Sequence, residues 1–393
     1  MRKIICICLL FILGACASST QSYLDSVQNN FANANYEIDE TPLSEQSNLD
    51  LLINGTALFH IDRYEQSDAE FEEFNKRKLH ETSTSISREA AGLLLGGGVN
   101  SYKPYMMDSL FVSYYQIWDL LALNEWANAR VVINQSYERQ KNMSIEYKKM
   151  IEENKTKISE YEQLNEIIDK NTSDWLAFSD IMNPALMYLS GIYFLNDGDF
   201  DNAITYLRRA SGMVPENSFI KQDLELAQKR IKPQNTSWQF IETGFAPRLR
   251  EENAGIFLPN IGMIYFSFSK PYLNNDFSKP NGSEMLANVD AMFMTEYREY
   301  QTNEILRSFV SAAGKATLQA TMYNSKSDAA PILGILSSVY TVASSNTDVR
   351  TWATLPKYIY VTRKTESDTK KNNLIYTRII GGKITDEKTI PLR

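Results

Sequence analysis

Few residues of this sequence could take part in thiol chemistry, because the chain has only three cysteines, Cys6, Cys8 and Cys16. Cys16 directly follows Leu13–Ala15, and these residues end a short apolar segment over 4–12 that begins after two cations. A positive start, an apolar core and small residues before a cut are the parts of an export signal. The core is about half as long as a bilayer-spanning helix, so we expect it to be removed.

The run Leu13–Cys16 resembles the lipobox of bacterial lipoproteins, in which the cysteine is acylated, with palmitate among the acyl groups, and becomes the first mature residue. We therefore predict a signal peptide over 1–15 and lipidation at Cys16, where several acyl chains would anchor the protein stably. Ala17 stands where an aspartate retains an enteric-type lipoprotein at the inner membrane, which favours an outer-membrane lipoprotein facing the periplasm. The alternative is an ordinary cleaved signal with an incidental cysteine.

Removal of the signal leaves no free thiol, which excludes disulfides, cysteine-ligated zinc and a cysteine nucleophile together. The two histidines, His60 and His80, are too few for a multi-histidine metal site and are expected on helix surfaces. The sequence has no phosphate-binding loop motif, no Gly-x-Ser-x-Gly run and no His-Glu-x-x-His run. We therefore predict no metal, no cofactor and no catalytic residue.

Paired carboxylates are harder to exclude, because the chain has 48 acidic residues. Glu251 and Glu252 form the most suggestive pair, but neighbouring side chains on a strand point to opposite faces. Glycoside hydrolysis needs two carboxyls about 5 to 9 Å apart across one sugar. We therefore favour a charged loop with Arg–Glu pairing, in which Arg248 and Arg250 are possible recognition residues.

A second set of possible recognition residues, Asp348, Arg350 and Trp352, precedes a predicted strand. If this stretch is extended, alternation places the three side chains on one face. They would then form an ion pair beneath an indole or a polar ligand site. The interpretation that we favour is structural, with these residues locking the start of the strand.

The net negative charge of the chain argues against two classes of partner. The full chain carries −8 at pH 7, and loss of the two cations in the signal brings the mature value near −10. A nucleic-acid partner requires a basic face, and so does electrostatic attraction to anionic lipid. We predict neither, so membrane attachment would depend on the acyl chains.

Residues 184–217 match the 34-residue tetratricopeptide (TPR) pattern of two packed helices nearly position by position. Small and large residues alternate at the positions where the two helices must pack together. A glycine-containing turn separates the two helices, and a proline ends the second one. The positions concerned are Gly191, Phe194, Gly198, Ala203, Leu207, Ala210 and Pro215. Weaker copies occupy 48–78 and 110–142, and a polar capping helix is predicted over 218–231, because one repeat cannot bury its faces alone.

The predicted fold class is α+β, with an N-terminal TPR-like array followed by a smaller mixed α+β domain. We place a tether at 16–45, the TPR-like domain at 46–232 and the mixed domain at 233–393. A strongly charged insertion at 143–172 is expected to be a long, largely solvated helix. Aromatic and β-branched runs predict strands at 238–241, 263–268, 357–362 and 374–380, and apolar patterns predict helices at 298–322 and 331–344.

Four features together resemble a family of bacterial TPR lipoproteins with a C-terminal mixed α+β domain. They are the lipobox, the tyrosine-rich start of the hairpin at 102–142, the run Gly244–Glu252 and the element Asp348–Pro356. The resemblance implies an envelope location and no assigned activity, so it transfers no catalytic residue. The charged insertion at 143–172 departs from that pattern.

We therefore expect a lipid-anchored periplasmic adaptor rather than an enzyme. Its stacked helix pairs would form a concave groove for a protein or peptide partner in the cell envelope. One alternative is an enzyme that processes cell-wall glycan or peptide with carboxylates of the C-terminal domain. Another is a structural tether whose groove is filled by its own tether or insertion.

Overall fold

The computed structural model describes residues 15–81, 102–159, 164–172, 182–258, 262–274, 278–323, 347–365 and 371–393. These ranges form a mixed α+β fold, as predicted, and none of their helices combines the length and apolar composition needed to cross a membrane. The helices are α1 (Ala15–Ala32), α2 (Asn48–His60), α3 (Tyr64–Glu81), α4 (Met106–Ala122), α5 (Trp126–Ser159), α6 (Asn165–Thr172), α7 (Pro184–Asp197), α8 (Phe200–Met213), α9 (Ser218–Gln228) and α10 (Val289–Tyr323). The predicted helix at 331–344, the His80 side chain and most of 79–104 lie outside the described residues.

The strands are β1 (Thr236–Thr243), β2 (Arg248–Leu258), β3 (Gly262–Tyr272), β4 (Glu284–Asn288), β5 (Tyr358–Thr365), β6 (Asn373–Ile380) and β7 (Lys383–Pro391). Five of them form one sheet in the order β4-β5-β1-β6-β7, with β1 antiparallel to β5 and parallel to β6. The four predicted strands correspond to β1, β3, β5 and β6. The sequence pattern does not predict β2, β4 and β7, because each contains charged residues that interrupt the apolar alternation.

The N-terminal segment differs from the predicted tether, because α1 is a helix that packs against the rest of the protein. Leu24 is buried in the main hydrophobic core, Phe31 is buried in a separate small cluster, and the partly buried Val27 packs against both. Their three- and four-residue spacing gives α1 one apolar face. The many Ser, Asn and Gln residues that suggested a tether occupy the remainder of the helix.

Three helical hairpins occur where the repeat pattern predicted helix pairs: α2 with α3, α4 with α5, and α7 with α8. In the best-matched pair, Asn183 caps α7 by accepting hydrogen bonds from two backbone N–H groups. Gly198 ends α7 with a left-handed φ of 83°, a conformation that glycine adopts without strain. The helix predicted at 218–231 corresponds to α9.

Neighbouring hairpins contact each other through buried side chains. Between the first two, Ser67 Oγ donates to Asp119 Oδ2 at 2.8 Å. Between the second and third, Tyr193 Oη donates to the Trp126 carbonyl at 2.7 Å, and their rings lie 5.0 Å apart. The helix pairs therefore form a continuous stack.

The first part of the charged insertion at 143–172 is a long helical extension whose described side chains are mostly exposed, and it also has a packed side. This part continues α5 as far as Ser159 and packs against α10. Tyr147 Oη donates to the Thr295 carbonyl at 2.9 Å, and Asn154 Nδ2 donates to the Glu299 carbonyl at 3.0 Å. The few apolar residues of the insertion therefore indicate that only one side of this helix makes a contact.

The five-stranded sheet packs against the first helix of each helical hairpin. The first helix of each hairpin, α2, α4 and α7, is buried along nearly its whole length. Trp118 on α4 packs edge-on against Phe240 of β1 at 5.5 Å, and Tyr188 on α7 lies 5.8 Å from the same ring. Within the described chain, the sheet fills this face of the helical stack, so a groove for a partner would have to lie on another face.

The helices and the sheet share one hydrophobic core. Asp223 on α9 shows how closely they are joined, because its carboxylate accepts hydrogen bonds from Tyr188 Oη and Trp238 Nε1, both at 2.7 Å. It also pairs with Arg363 Nε at 2.8 Å. The helix expected to be a polar cap therefore joins the stack to the sheet, and position 232 does not separate two cores.

A second, smaller core lies beside the first. The strands β2 and β3 form a separate two-stranded hairpin that packs against α10, and α6 also contacts α10. The buried residues of this second core are Leu164, Ile168, Ile264, Phe266, Phe268, Ile305, Leu306, Phe309 and Ala312. We call β2 and β3 with these contacts the β2–β3 hairpin.

Candidate functional site: an acidic pocket

A pocket of about 280 Å³ lies between α1, the connecting segment 33–47 and α2. Its volume is close to the lower end of small-ligand sites, about 300 Å³. Apolar, amide and acidic side chains line it together: Tyr23, Val27, Asn30, Phe31, Glu37, Ile38, Asp39, Asp50, Ile53 and Asn54. We call it the acidic pocket.

Backbone N–H groups, not cations, hold two of the carboxylates in place. Asp39 Oδ1 accepts from the Thr41 N–H at 2.9 Å, and the Asp39 N–H donates to Asn54 Oδ1 at 2.9 Å. Asp50 belongs to a capping box with Ser47 at the start of α2. These local bonds follow from the turn and cap preferences of aspartate. No cation takes part in these bonds, so they do not neutralise the charge of either carboxylate.

The field inside the acidic pocket is negative. Burial, followed by the charges of Asp50, Asp39 and Glu37, raises the pKa of Tyr23 to about 12. The sequence explains the sign, because no lysine or arginine occurs between Lys3 and Arg63. A cation entering the pocket would therefore meet the negative charges of Glu37, Asp39 and Asp50, of which Glu37 and Asp39 are exposed to solvent.

The chemistry of the lining suits an organic cation. An ammonium or guanidinium group on an aliphatic stem would place its charge among the carboxylates and its methylenes against the apolar residues. A metal ion fits less well, because no three His, Cys, Asp or Glu side chains of the described chain come close enough together to hold one. Binding, rather than bond breaking, is what this arrangement supports.

The predicted TPR packing residues lie at the α7–α8 contact. A Cβ atom on Gly191 would approach Leu207 Cδ2 to 2.6 Å, so glycine is required for the observed approach of the helices. Phe194 stacks on Tyr206 with ring centroids 5.2 Å apart. Ala203, Leu207 and Ala210 are fully buried, and Pro215 follows the end of α8 at Met213.

Arg248 binds to α1, the first helix of the same chain. Its buried guanidinium pairs with Asp25 of α1 and donates to the Gln21 carbonyl at 3.0 Å. Arg250 lies 3.8 Å from Glu252, so the predicted Arg–Glu pairing is present, but within strand β2 rather than in a loop. The backbone of Cys16 belongs to α1, and its side chain lies outside the described residues.

The residues Asp348, Arg350 and Trp352 make separate structural contacts. Arg350 Nε and Nη2 donate to the two Asp348 carboxylate oxygens at 2.7 and 2.6 Å, a bidentate ion pair. The buried Trp352 donates from Nε1 to Thr56 Oγ1 at 3.0 Å and packs near Phe71. These contacts agree with a structural role before β5, although the stretch itself is not a strand.

Glu304 on α10 is an acidic residue that the sequence pattern did not single out. Its Oε2 accepts a hydrogen bond from the Ser269 N–H at 3.1 Å and lies 3.4 Å from Tyr297 Oη. Burial raises the pKa of Glu304 to about 7, with a smaller upward contribution from the nearby charge of Asp348. A carboxyl with this pKa is able to exchange a proton near neutral pH.

His60 does not lie on a helix surface as expected. Its imidazole is buried, stacks on Tyr36 at 4.8 Å and has Nδ1 2.8 Å from Asp386 Oδ2. Burial lowers the pKa of His60 to about 4, so the ring is neutral at pH 7. Lys388 pairs with the same Asp386 at 2.7 Å, which makes this cluster a contact between α2 and β7.

Sequence reasoning missed the acidic pocket because the segment was interpreted as a tether. One signal was present: seven acidic residues and no lysine or arginine occur between Lys3 and Arg63. Comparisons of this chain with known protein families, with curated protein sequences and with solved structures give no match. The functional proposal therefore depends on the chain's own residues and geometry.

Proposed function

We propose that this protein is a lipid-anchored scaffold of the bacterial cell envelope that binds a protein partner through a cationic side chain in the acidic pocket. The observation that carries the proposal is the pocket itself, which combines three carboxylates with apolar walls and is surrounded by a segment without lysine or arginine. An acidic recess of this kind favours a basic segment of a partner, because opposite charges guide association and fix register.

The lipid anchor and envelope location are part of the same proposal. The export signal and the lipobox-like run ending at Cys16 support an outer-membrane lipoprotein facing the periplasm. Because α1 begins at Ala15 and contributes Tyr23, Val27 and Asn30 to the pocket, acylation of Cys16 would place the pocket close to the membrane. Seven residues of helix between Cys16 and Tyr23 correspond to about 10 Å.

We further propose that the three helical hairpins are divergent TPR units of the lipoprotein family suggested by the sequence. The close approach at Gly191 has a counterpart in the first hairpin, where a Cβ on Gly55 would lie 2.8 Å from the Phe71 ring. Glycine therefore faces a large residue of the second helix in both pairs. In this proposal the repeats support the sheet and leave partner binding to the acidic pocket.

The decisive experiment combines crosslinking with one charge reversal. A photocrosslinking residue replaces the partly exposed Tyr23 in the native envelope, and crosslinked partners are identified by mass spectrometry. Glu37→Lys should abolish the crosslink, whereas Glu216→Lys, an exposed charge reversal after α8, should leave it intact. Equal crosslinking in the two variants would exclude the acidic pocket as the binding site.

The anchor is tested separately by the mass of the mature N-terminus. Acyl groups on residue 16, together with loss of membrane association in Cys16→Ser, are the expected results. An unmodified mature N-terminus would refute the lipoprotein assignment without affecting the pocket.

Glu304 supports a second candidate function, an enzyme acting on cell-wall glycan or peptide with carboxylates of the C-terminal region. Its pKa of about 7 and the charge of Asp348 nearby are the specific observations in favour. Wall-derived substrates should then be turned over with a rate that depends on a group of pKa near 7. The Glu304→Gln variant should be inactive, and absence of any turnover by the wild-type protein would reject this candidate.

A further inference from the structure

The β2–β3 hairpin has an exposed apolar face at its tip. Phe257 is 69% exposed, Met263 is 54% exposed and Tyr265 is 56% exposed, although all three are large apolar or aromatic side chains. Phe257 and Met263 are direct cross-strand partners, and Tyr265 is opposite Gly255 on the same face. We call these three side chains the apolar tip.

The opposite face of the hairpin already has its packing partner. Ile264 and Phe266, which alternate with the residues of the apolar tip, are buried against Phe309 and the rest of the second core. The exposure of the apolar tip therefore does not result from a poorly packed hairpin. Water-exposed apolar side chains that adjoin each other are characteristic of contact surfaces.

The charge pattern along the hairpin indicates what covers the tip. Charged residues occur at its base, at Arg248–Glu252 on β2 and at Lys270 on β3. From Asn253 to Ser269 the chain contains no charged residue. Protein interfaces surround their apolar centre with a polar rim, whereas residues that insert at a membrane surface are apolar and aromatic with charges kept outside.

The proposed anchor brings the same tip within reach of a bilayer. Arg248, the first residue of β2, donates to the Gln21 carbonyl of α1 at 3.0 Å. Cys16 is five residues before Gln21, about 7.5 Å along a helix, and Phe257 is nine residues beyond Arg248, about 30 Å along a strand. The apolar tip therefore lies within about 50 Å of the proposed acylation site, the sum of these two lengths and about 10 Å for the Arg248 side chain with its hydrogen bond.

We infer that the apolar tip of the β2–β3 hairpin inserts into the surface of the lipid bilayer that carries the protein, as a second membrane contact besides the acyl chains. The inference uses the proposed lipid anchor only for location. No strand of the described chain pairs with the outer edges of β2 and β3, so their backbone groups require water or headgroups. The tip therefore reaches the boundary between headgroups and acyl chains and not the centre of the bilayer.

A chain of residues 15–393 carrying Cys16→Ser tests this without any acyl group. This chain retains every described residue and contains no other cysteine, because Cys6 and Cys8 are removed with the signal. Met263→Cys in this background is labelled with an environment-sensitive fluorophore. The matched control is Ile384→Cys on β7, which is 63% exposed and lies outside the hairpin.

With neutral phosphatidylcholine vesicles, the label at 263 should show a blue shift and a severalfold increase in emission, and the label at 384 should not respond. Phe257→Ser should reduce partitioning by about tenfold, as expected for losing burial of one large apolar side chain. Binding should not change between 0.1 and 0.5 M salt, because no charge is involved.

Three results would overturn the inference: no response at 263, an equal response at both positions, or a response that requires anionic vesicles. A concentration-dependent response without vesicles would also overturn it, because it would show that a second copy of the chain covers the tip. Since this chain lacks the acyl group, failure here is distinct from an unmodified mature N-terminus, which tests the anchor alone.

Discussion

The contact between Gly191 and Leu207 makes a quantitative prediction for the α7–α8 hairpin. In Gly191→Ala the new Cβ would lie 2.6 Å from Leu207 Cδ2 and 2.7 Å from Cγ. Carbon atoms in contact prefer about 3.5 to 4.0 Å, so Leu207 would have to move by about 1 Å. Leu207 is fully buried, so its movement would disturb neighbouring side chains, and overpacking of this kind costs about 1–3 kcal/mol.

A matched control comes from Gly212 on α8, where an added Cβ would have no neighbouring atom within 4 Å. Both substitutions gain about 0.5–1 kcal/mol from replacing glycine by alanine in a helix. This gain cancels in the comparison, so Gly191→Ala should be about 1–3 kcal/mol less stable than Gly212→Ala. Urea unfolding followed by far-ultraviolet circular dichroism measures the difference. If the two variants agree within about 0.5 kcal/mol, the predicted close packing is wrong.

Two further predictions concern buried ionisable groups. The pKa of His60 falls from 6.5 to about 4 on folding, so below pH 6.5 the unfolded chain binds a proton that the folded chain does not, and stability decreases as the pH falls. Wild type should lose about 2 kcal/mol between pH 7 and pH 5 relative to His60→Gln, which unfolding at both pH values measures, and parallel pH profiles would contradict it. Asp223→Leu should cost about 3–5 kcal/mol, because it leaves Arg363 buried without its partner, whereas Asp201→Leu at an exposed ion pair should cost about 0.5 kcal/mol or less in the same urea assay. Similar losses in the two variants would show that Asp223 does not join the helices to the sheet.

The local elements of the fold could be predicted because their signals are local. The helix pairs follow from small residues, turns and caps such as Asn183, Gly198 and Asp199. The strands β1 and β6 follow from aromatic and β-branched runs. Each of these patterns acts within a few residues, so the sequence alone contains it.

The arrangement of the elements could not be predicted from the same patterns. Fully buried helices such as α4 show that a second layer covers them, but periodicity does not identify that layer as β1 and β6. The packing of the charged insertion against α10 was not predicted, because the contacts of Tyr147 and Asn154 with α10 join residues about 150 positions apart. A pattern within one segment carries no information about such distant partners.

The acidic pocket was missed for a related reason. Its carboxylates come from a loop and a helix cap, where aspartate usually has only a local role. The carboxylates line a pocket only because α1 packs beside them. The many polar residues of α1 made its apolar face difficult to recognise in the sequence. The absence of lysine and arginine over residues 4–62 was the remaining signal, and it identifies the sign of the charge but not the presence of a recess.

Strands β1, β5 and β6 cover the helical stack, and this arrangement affects the order in which the chain can fold. The stack precedes the sheet in the chain, so its aromatic face, with Trp118 and Tyr188, is not fully covered until residues near 380 have emerged. In the proposed export route the chain would cross a membrane unfolded, and this delay would keep its helical half from folding completely beforehand. The same delay would leave an intermediate with exposed aromatic side chains until β6 docks, and such an intermediate is prone to aggregate.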